Sequence, residues 1–313
     1  MAMYHLRVKF VKRSEGRSAV AASAYRSGTM MLDERENKTH DYTRKSDIEF
    51  SEILLPDHMP EALQERAALW NAVEAGIKRK DGQPAFEVEV ALPRELTHEQ
   101  CAQLAREFAQ DMFVAKGLPV DLNIHRPIAS DGGEHPHAHL LISTRRFNAD
   151  GTLGRAATDM QDNPALVRRV YALEEAGQID EAVIAQRGTN LGQWRETWAD
   201  YSNRFLESSG SGSRIDHRTL AAQQIDKEPT PNVGIGFYGH LRAFTGHMAE
   251  RLDHWKEVGF RNAMREQMER IQAKRPDLNA EFIAHAREYG QRFFPELQQE
   301  NGLEPQREQD YER

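Results

Sequence analysis

The chain has 313 residues, 39% of them hydrophobic, and carries 41 Lys and Arg against 49 Asp and Glu for a formal net charge of −8. That length supports one substantial core and a second, smaller unit, while the acidic balance excludes a partner held by bulk positive charge, the usual footprint of a nucleic-acid binder. The single cysteine, Cys101, excludes a disulfide framework and a cysteine-ligated zinc site, and the lack of a signal-peptide pattern or an apolar run of spanning length points to a cytoplasmic protein without membrane insertion.

In chain order, a first strand is predicted over residues 4–11. An alanine-rich helix follows, opened near Ser18 and closed near Gly28, and it carries Tyr25 beside Arg26. A strand over 48–55 leads into a helix over about 61–78, with Leu63, Ala67, Trp70, Val73 and Ile77 on one stripe. Residues 85–92 alternate carboxylate and apolar side chains, so Glu87 and Glu89 share a strand face. Thr97 and Gln100 form a capping box for a helix that carries Cys101, Leu104, Phe108 and Met112 and stops at Gly117. Strands over 118–125 and 137–143, joined by turn-rich residues 127–134, read as antiparallel neighbours. Leu191, Trp194, Trp198, Tyr201 and Phe205 recur at three- and four-residue steps, the mark of a packed helix rather than a base-stacking platform. A boundary at 228–231 divides the α+β part, residues 1–230, from a helical part, residues 231–313. The latter has a stripe through Leu241, Phe244, Met248, Leu252, Trp255 and Val258, weaker stripes through Ile271 and Tyr289, and a polar, disordered end after Gln299.

His137 and His139 head an apolar run, and strand side chains alternate, so both imidazoles lie on one face. The hairpin would bring His125 to them. Three neutral nitrogens leave coordination positions open for substrate, as in a catalytic rather than a closed structural site.

Four segments carry a resemblance. Residues 21–28 around Tyr25, residues 87–96, the block Pro136-His137-Ala138-His139 and the run from Arg214 to Leu220 occur in an order similar to that of MobA/MobL-type plasmid relaxases, a branch of the HUH endonucleases. Agreement among several segments over about residues 1–230 outweighs any one of them. The resemblance implies a central antiparallel sheet with the histidines on its middle strands and the tyrosine on a facing helix, and strand-specific nicking and rejoining at a plasmid origin of transfer. It makes Tyr25 the nucleophile that forms a 5′-phosphotyrosyl intermediate, and His125, His137 and His139 the holders of a divalent ion, Mn2+ or Mg2+. His135 departs from the pattern as an added imidazole that would share the His137 face on a strand. The implied partners are single-stranded origin DNA, accessory mobilisation proteins and the type IV coupling and secretion machinery.

The chemistry agrees. An enzyme that holds the phosphate as an ester can reseal the strand without outside energy, and a bound cation would neutralise charge in the transition state. Glu87 and Glu89 remain open between proton acceptor for Tyr25 and partner of an imidazole, and Tyr4 and Tyr42 compete with Tyr25. Residues 1–30 hold six cations against Glu15 alone, so charge is locally positive near Tyr25. Candidate phosphate contacts are Arg13, Arg17, Arg26, Arg44, Lys45, Arg145 and Arg146, whereas Lys78, Arg79 and Lys80 read as a solvated helix end. A hydrolase using metal-bound water and a DNA-binding module that does not cut are the rival readings.

Overall fold

In the computed structural model, which describes residues 4–128, 132–228 and 246–274, the chain forms two compact units, Met1–Arg218 and Thr219–Arg313. The division falls before the boundary expected at 228–231. Prolines mark the change of composition, but Ile215 is the last residue packed into the core of the first unit.

The first unit is built on a five-stranded antiparallel sheet. Its strands are β1 (Leu6–Val11), β4 (Ile48–Leu54), β5 (Ala85–Ala91), β6 (Val120–His125) and β7 (His137–Ser143), in the order β1-β5-β7-β6-β4. These are the five strands predicted. Two short hairpins, β2 (Met30–Asp33) with β3 (Lys38–Asp41) and β8 (Arg145–Phe147) with β9 (Leu153–Ala156), are additions to them.

Alternation along the strands gives the sheet two different faces. Val88, Val90, Leu122, Ile124, Ala138, Leu140 and Ile142 point to the first, where α3 (His98–Met112) and α6 (Asn190–Ser208) cover them. Trp194 of α6 stacks on Phe86 at 5.9 Å and Trp198 meets Phe108 edge-on at 5.0 Å, so the aromatic stripe is core as its spacing predicts. Burying each such side chain contributes roughly 1.5–3 kcal/mol. On the second face Ala85, Leu141, Val11 and Ile53 pack against α1 (Ala19–Ser27) and α2 (Arg66–Gly76). The rest of that face is polar and holds the histidines.

Local chemistry sets the helix ends. Ser18 caps α1 by accepting from the Val20 and Ala21 amides, and Gly28 closes it at φ +62°. That positive φ is what calls for glycine, and a Cβ there would also push aside the Ile48 side-chain end, 2.2 Å away at Cδ1. The capping box of Thr97 and Gln100 opens α3. That helix stops at Met112, short of the expected Gly117, because Phe113 leaves helical geometry and enters the core before the 3-10 turn Val114–Lys116. The helix expected over 61–78 is likewise divided, with extended Glu65 between the 3-10 turn Glu61–Gln64 and α2, where its carboxylate accepts from the Ala68 amide. Helices α4 (Pro164–Glu175) and α5 (Ile179–Gln186) complete the first unit.

In the second unit α7 (Gly246–Lys274) pairs Arg261 and Arg265 with Glu228, and Glu266 with Lys227. Val258 is buried but Trp255 is 42% exposed, so the expected stripe is not one covered face. The expectations for Leu241, Phe244, Tyr289 and the end after Gln299, and for the side chains of Met248, Leu252 and Ile271, lie outside the described residues. Among the described residues no helix is long and apolar enough to cross a membrane.

Candidate metal and nucleophile site

Three antiparallel strands bring the histidines together by register. His125 faces His137 across β6 and β7, and Glu89 faces His139 across β5 and β7. The ring centroids of His125, His137 and His139 are 4.5 to 5.5 Å apart, and each residue brings a ring nitrogen within 4.8 Å of the other two. Each ring has an orienting partner. His139 donates from Nδ1 to Glu87 Oε1 at 2.5 Å, His137 from Nδ1 to the His135 carbonyl at 2.9 Å, and His125 from Nε2 to the Arg26 carbonyl at 2.6 Å. Such bonds fix the tautomer and leave the second nitrogen with its lone pair, which on His125 faces the Lys45 ammonium at 3.0 Å and would have to be released to hold a cation. Burial lowers His125 and His137 to about 4, so both are neutral near pH 7. Neutral imidazoles on rigid strands fit a divalent cation. His135 lies in the loop before β7, not on the strand; its ring is 5.7 Å from that of His137, and it is not in the group of three whose ring nitrogens lie within 4.8 Å of one another.

Glu87 is buried beneath the cluster. Arg26 grips both its oxygens, at 2.7 and 2.5 Å. Burial opposes ionisation of this carboxyl, but the bonds from His139 and Arg26 outweigh it and hold Glu87 well below the usual carboxylate range. With these bonds Glu87 is placed to orient an imidazole. Glu89 accepts from Lys9 at 2.5 Å and lies 3.7 Å from His5; against its burial, these two hold it low as well.

Tyr25 stands on the last turns of α1, 48% exposed, with the Tyr42 ring edge-on at 5.3 Å. Lys45 Nζ lies 4.6 Å over the Tyr25 ring centroid and 3.0 Å from His125 Nδ1, so one ammonium touches both the tyrosine and the histidine cluster. Tyr4 is different: its hydroxyl donates to the Arg195 carbonyl, and burial pushes the phenol well above its ordinary value. Sequence reasoning missed Asp121. Fully buried, it accepts from Ser23 of α1 at 2.5 Å, from Trp70 at 2.9 Å, from Arg66 at 3.1 Å and from Asn123 at 2.7 Å, fastening the tyrosine helix to β6. Its signal was the alternation Asp121, Asn123, His125 on the face of the site.

The expected DNA contacts divide. All five N–H groups of Arg13 are used on Glu74 and on the carbonyls of Glu74, Ile77 and Arg79 at the end of α2, so Arg13 is a structural tie. Arg26 is spent on Glu87 and the Ala22 carbonyl. Arg145 bonds the Gly154 carbonyl, Arg146 grips Asp159 and the Lys116 carbonyl, and both lie beyond the end of β7 opposite the histidines. Arg17 and Arg44 are exposed, and Lys45 belongs to the site itself.

The MobA/MobL family model matches residues 17–239. Mobilization protein MobL of Acidithiobacillus ferridurans is 34% identical over 279 residues, 82% of this chain and 68% of that protein. Mobilization protein A of Escherichia coli is 40% identical over 236 residues, which are 75% of this chain but only 30% of that protein, so the chain corresponds to a part of some longer relatives. A solved structure described as "Molecular Basis of Vancomycin Resistance Transfer in Staphylococcus aureus" superposes with a TM-score of 0.56 at 29% identity, covering 70% of this chain and 100% of that one. With Tyr25, Glu87 and the three histidines all inside the matched stretch, the chain belongs to the MobA/MobL family.

Proposed function

We propose that this chain is a relaxase, a site- and strand-specific enzyme that nicks and rejoins one DNA strand at an origin of transfer, acting in the cytoplasm at the start of plasmid mobilisation. The observation that carries this reading is an exposed tyrosine ring linked through one ammonium to a cluster of oriented imidazoles. Tyr25 gives up its phenolic proton and its Oη attacks the scissile phosphorus, the 3′-oxygen leaves and takes up a proton as a hydroxyl, and the downstream strand stays on Tyr25 through its 5′-phosphate. The free 3′-hydroxyl reverses the step, with no outside energy needed because the ester is kept. His125, His137 and His139 would hold a divalent cation, Mn2+ or Mg2+, which supplies Lewis acidity at the phosphate when bound. Glu87 keeps His139 in its tautomer, and Arg26 keeps Glu87 ionised and links it to the helix of the nucleophile. Accessory mobilisation proteins and type IV coupling and secretion machinery are the partners this role calls for.

The test is incubation of the full chain and Mn2+ or Mg2+ with an end-labelled single strand spanning the origin of the plasmid that encodes it, resolved on a denaturing gel. A protein-linked fragment and a free 3′-hydroxyl fragment are expected, and Tyr25→Phe is expected to form neither while binding the strand within a few-fold of the native protein. Two unlinked fragments would make the protein a hydrolase, and binding without any cut would make it a DNA-binding module.

A further inference from the structure

Tyr25 is exposed, and an exposed aromatic side chain has rotamers to spare. Here its ring is held on two sides. The Tyr42 ring meets it at 89°, and the ammonium of Lys45 lies over its face. Lys45 itself is not a loose surface lysine: its side chain is 16% exposed, its amide donates to the Tyr42 carbonyl, and its ammonium is 3.3 Å from Asp47 and 3.0 Å from His125. The turn that carries it is pressed on the end of α1, where a Cβ at Gly28 would come within 3.7 Å of Lys45 Cβ and closer still to Ile48. Sequence places this lysine twenty residues after the tyrosine; the fold places it on the ring.

We infer that Lys45 is a positioning residue of the nicking reaction, holding the Tyr25 ring toward the histidine cluster and setting a fixed positive charge beside it. The attraction between a cation and the ring face restricts the side chain, and the same charge favours the phenoxide that forms when Tyr25 gives up its proton to become the nucleophile. Asp47 anchors the ammonium at 3.3 Å, so the lysine keeps an ionic partner when His125 gives its Nδ1 to a cation. A lysine that merely touched phosphate would act on how tightly DNA binds; one that holds the nucleophile acts on the chemical step. The inference rests on the relaxase reading and goes beyond it by giving the ring its holder.

The experiment compares the full chain with Lys45→Met and Lys45→Arg, using the same single-stranded origin oligonucleotide with Mn2+. Single-turnover cleavage is followed at saturating DNA, and affinity by fluorescence anisotropy. Lys45→Met, which keeps the stem and removes the charge, is expected to slow cleavage about 10-fold or more with affinity changed by less than about 3-fold. Lys45→Arg is expected to recover part of the rate, because it restores a cation over the ring. Thermal melts report folding, and Lys45→Gln carries the same comparison if the methionine variant does not fold. Cleavage at the native rate, or a loss confined to affinity and absent at saturating DNA, would overturn the inference while leaving the relaxase reading in place. A native protein that makes no cut would remove that reading, and the inference with it.

Discussion

Arg26 connects the tyrosine to the histidines twice, through its guanidinium on Glu87 and through its carbonyl on His125. The Glu87 carboxylate sits with its ionic partner Arg26 and its hydrogen-bond partner His139 almost out of water, and removing one partner of a buried pair leaves the other charge uncompensated. Glu87→Ala is therefore expected to cost about 3–5 kcal/mol in urea unfolding, whereas Glu89→Ala, on a more accessible Lys9 pair, costs about 1 kcal/mol. Equal costs would show that burial does not separate the two carboxylates. Among the histidines, His125→Ala, His137→Ala and His139→Ala are each expected to lose Mn2+ binding in calorimetric titration, and His135→Ala to keep most of it; a His135 variant as impaired as His137 would redraw the ligand set. Acid should act on the same residues. His125 and His137 are held to about 4, chiefly by burial, whereas an unfolded imidazole titrates near 6.5. Between those values the unfolded chain binds protons that the folded chain does not, so stability rises with pH there. Glu87, depressed by its partners, keeps its contribution through this window and loses it only at lower pH. Urea midpoints in the presence of chelator should be level above about pH 7 and fall from about pH 6.5 toward pH 4. A level profile down to pH 4 would show that these rings are protonated in the fold.

Helix α1 is the element on which the site depends, and its ends were legible because capping is local chemistry. Ser18 and Gly28 carry their roles in their own side chains and in the next few amides. The same holds for Thr97 and Gln100. What was not legible is what Ser18 does beyond capping: it donates to the buried Asp33 of the β2–β3 hairpin, which also takes the Glu36 amide. Ser18→Ala removes a cap and leaves a buried carboxylate short of a donor, so a cost of about 2–3 kcal/mol is expected in place of the ~1 kcal/mol of an ordinary cap. A cost under 1 kcal/mol would mean that Asp33 finds another donor. The hairpins β2–β3 and β8–β9 escaped sequence reading because their strands are three or four residues long, too short to show a period-two pattern. The division at Glu65 escaped because the apolar stripe runs on through it.

At the scale of the whole chain the histidine trio was legible for the reason the sheet was: period-two alternation on adjoining strands fixes which side chains meet. The charge of the N-terminal segment was not. Arg13 finds Glu74 and Arg26 finds Glu87, each 61 residues away, and Lys9 finds Glu89 at 80, so cations that look unopposed along the chain are paired in the fold. DNA affinity should then rest on few phosphate contacts, Arg17 and Arg44 among them, together with reading of bases. Log affinity for the origin single strand is expected to fall with log salt at a slope of about −2 to −3. A slope several times steeper, without preference for origin sequence, would indicate a general nuclease. The proposed reaction requires a tyrosine and a histidine-bound cation to reach one phosphate, so the strand alone or a supercoiled plasmid is expected to be cut well and a relaxed linear duplex poorly.

The central claim is that Tyr25 carries the cut strand. Intact mass measurement after incubation with the single-stranded origin oligonucleotide and Mn2+, followed by nuclease trimming and peptide mapping, tests it directly. The expected result is a protein heavier by the mass of the downstream fragment, with a phosphonucleotide on the peptide that contains Tyr25. An unmodified protein beside a fully cleaved oligonucleotide, or a phosphonucleotide on Tyr42 or another residue, would contradict it.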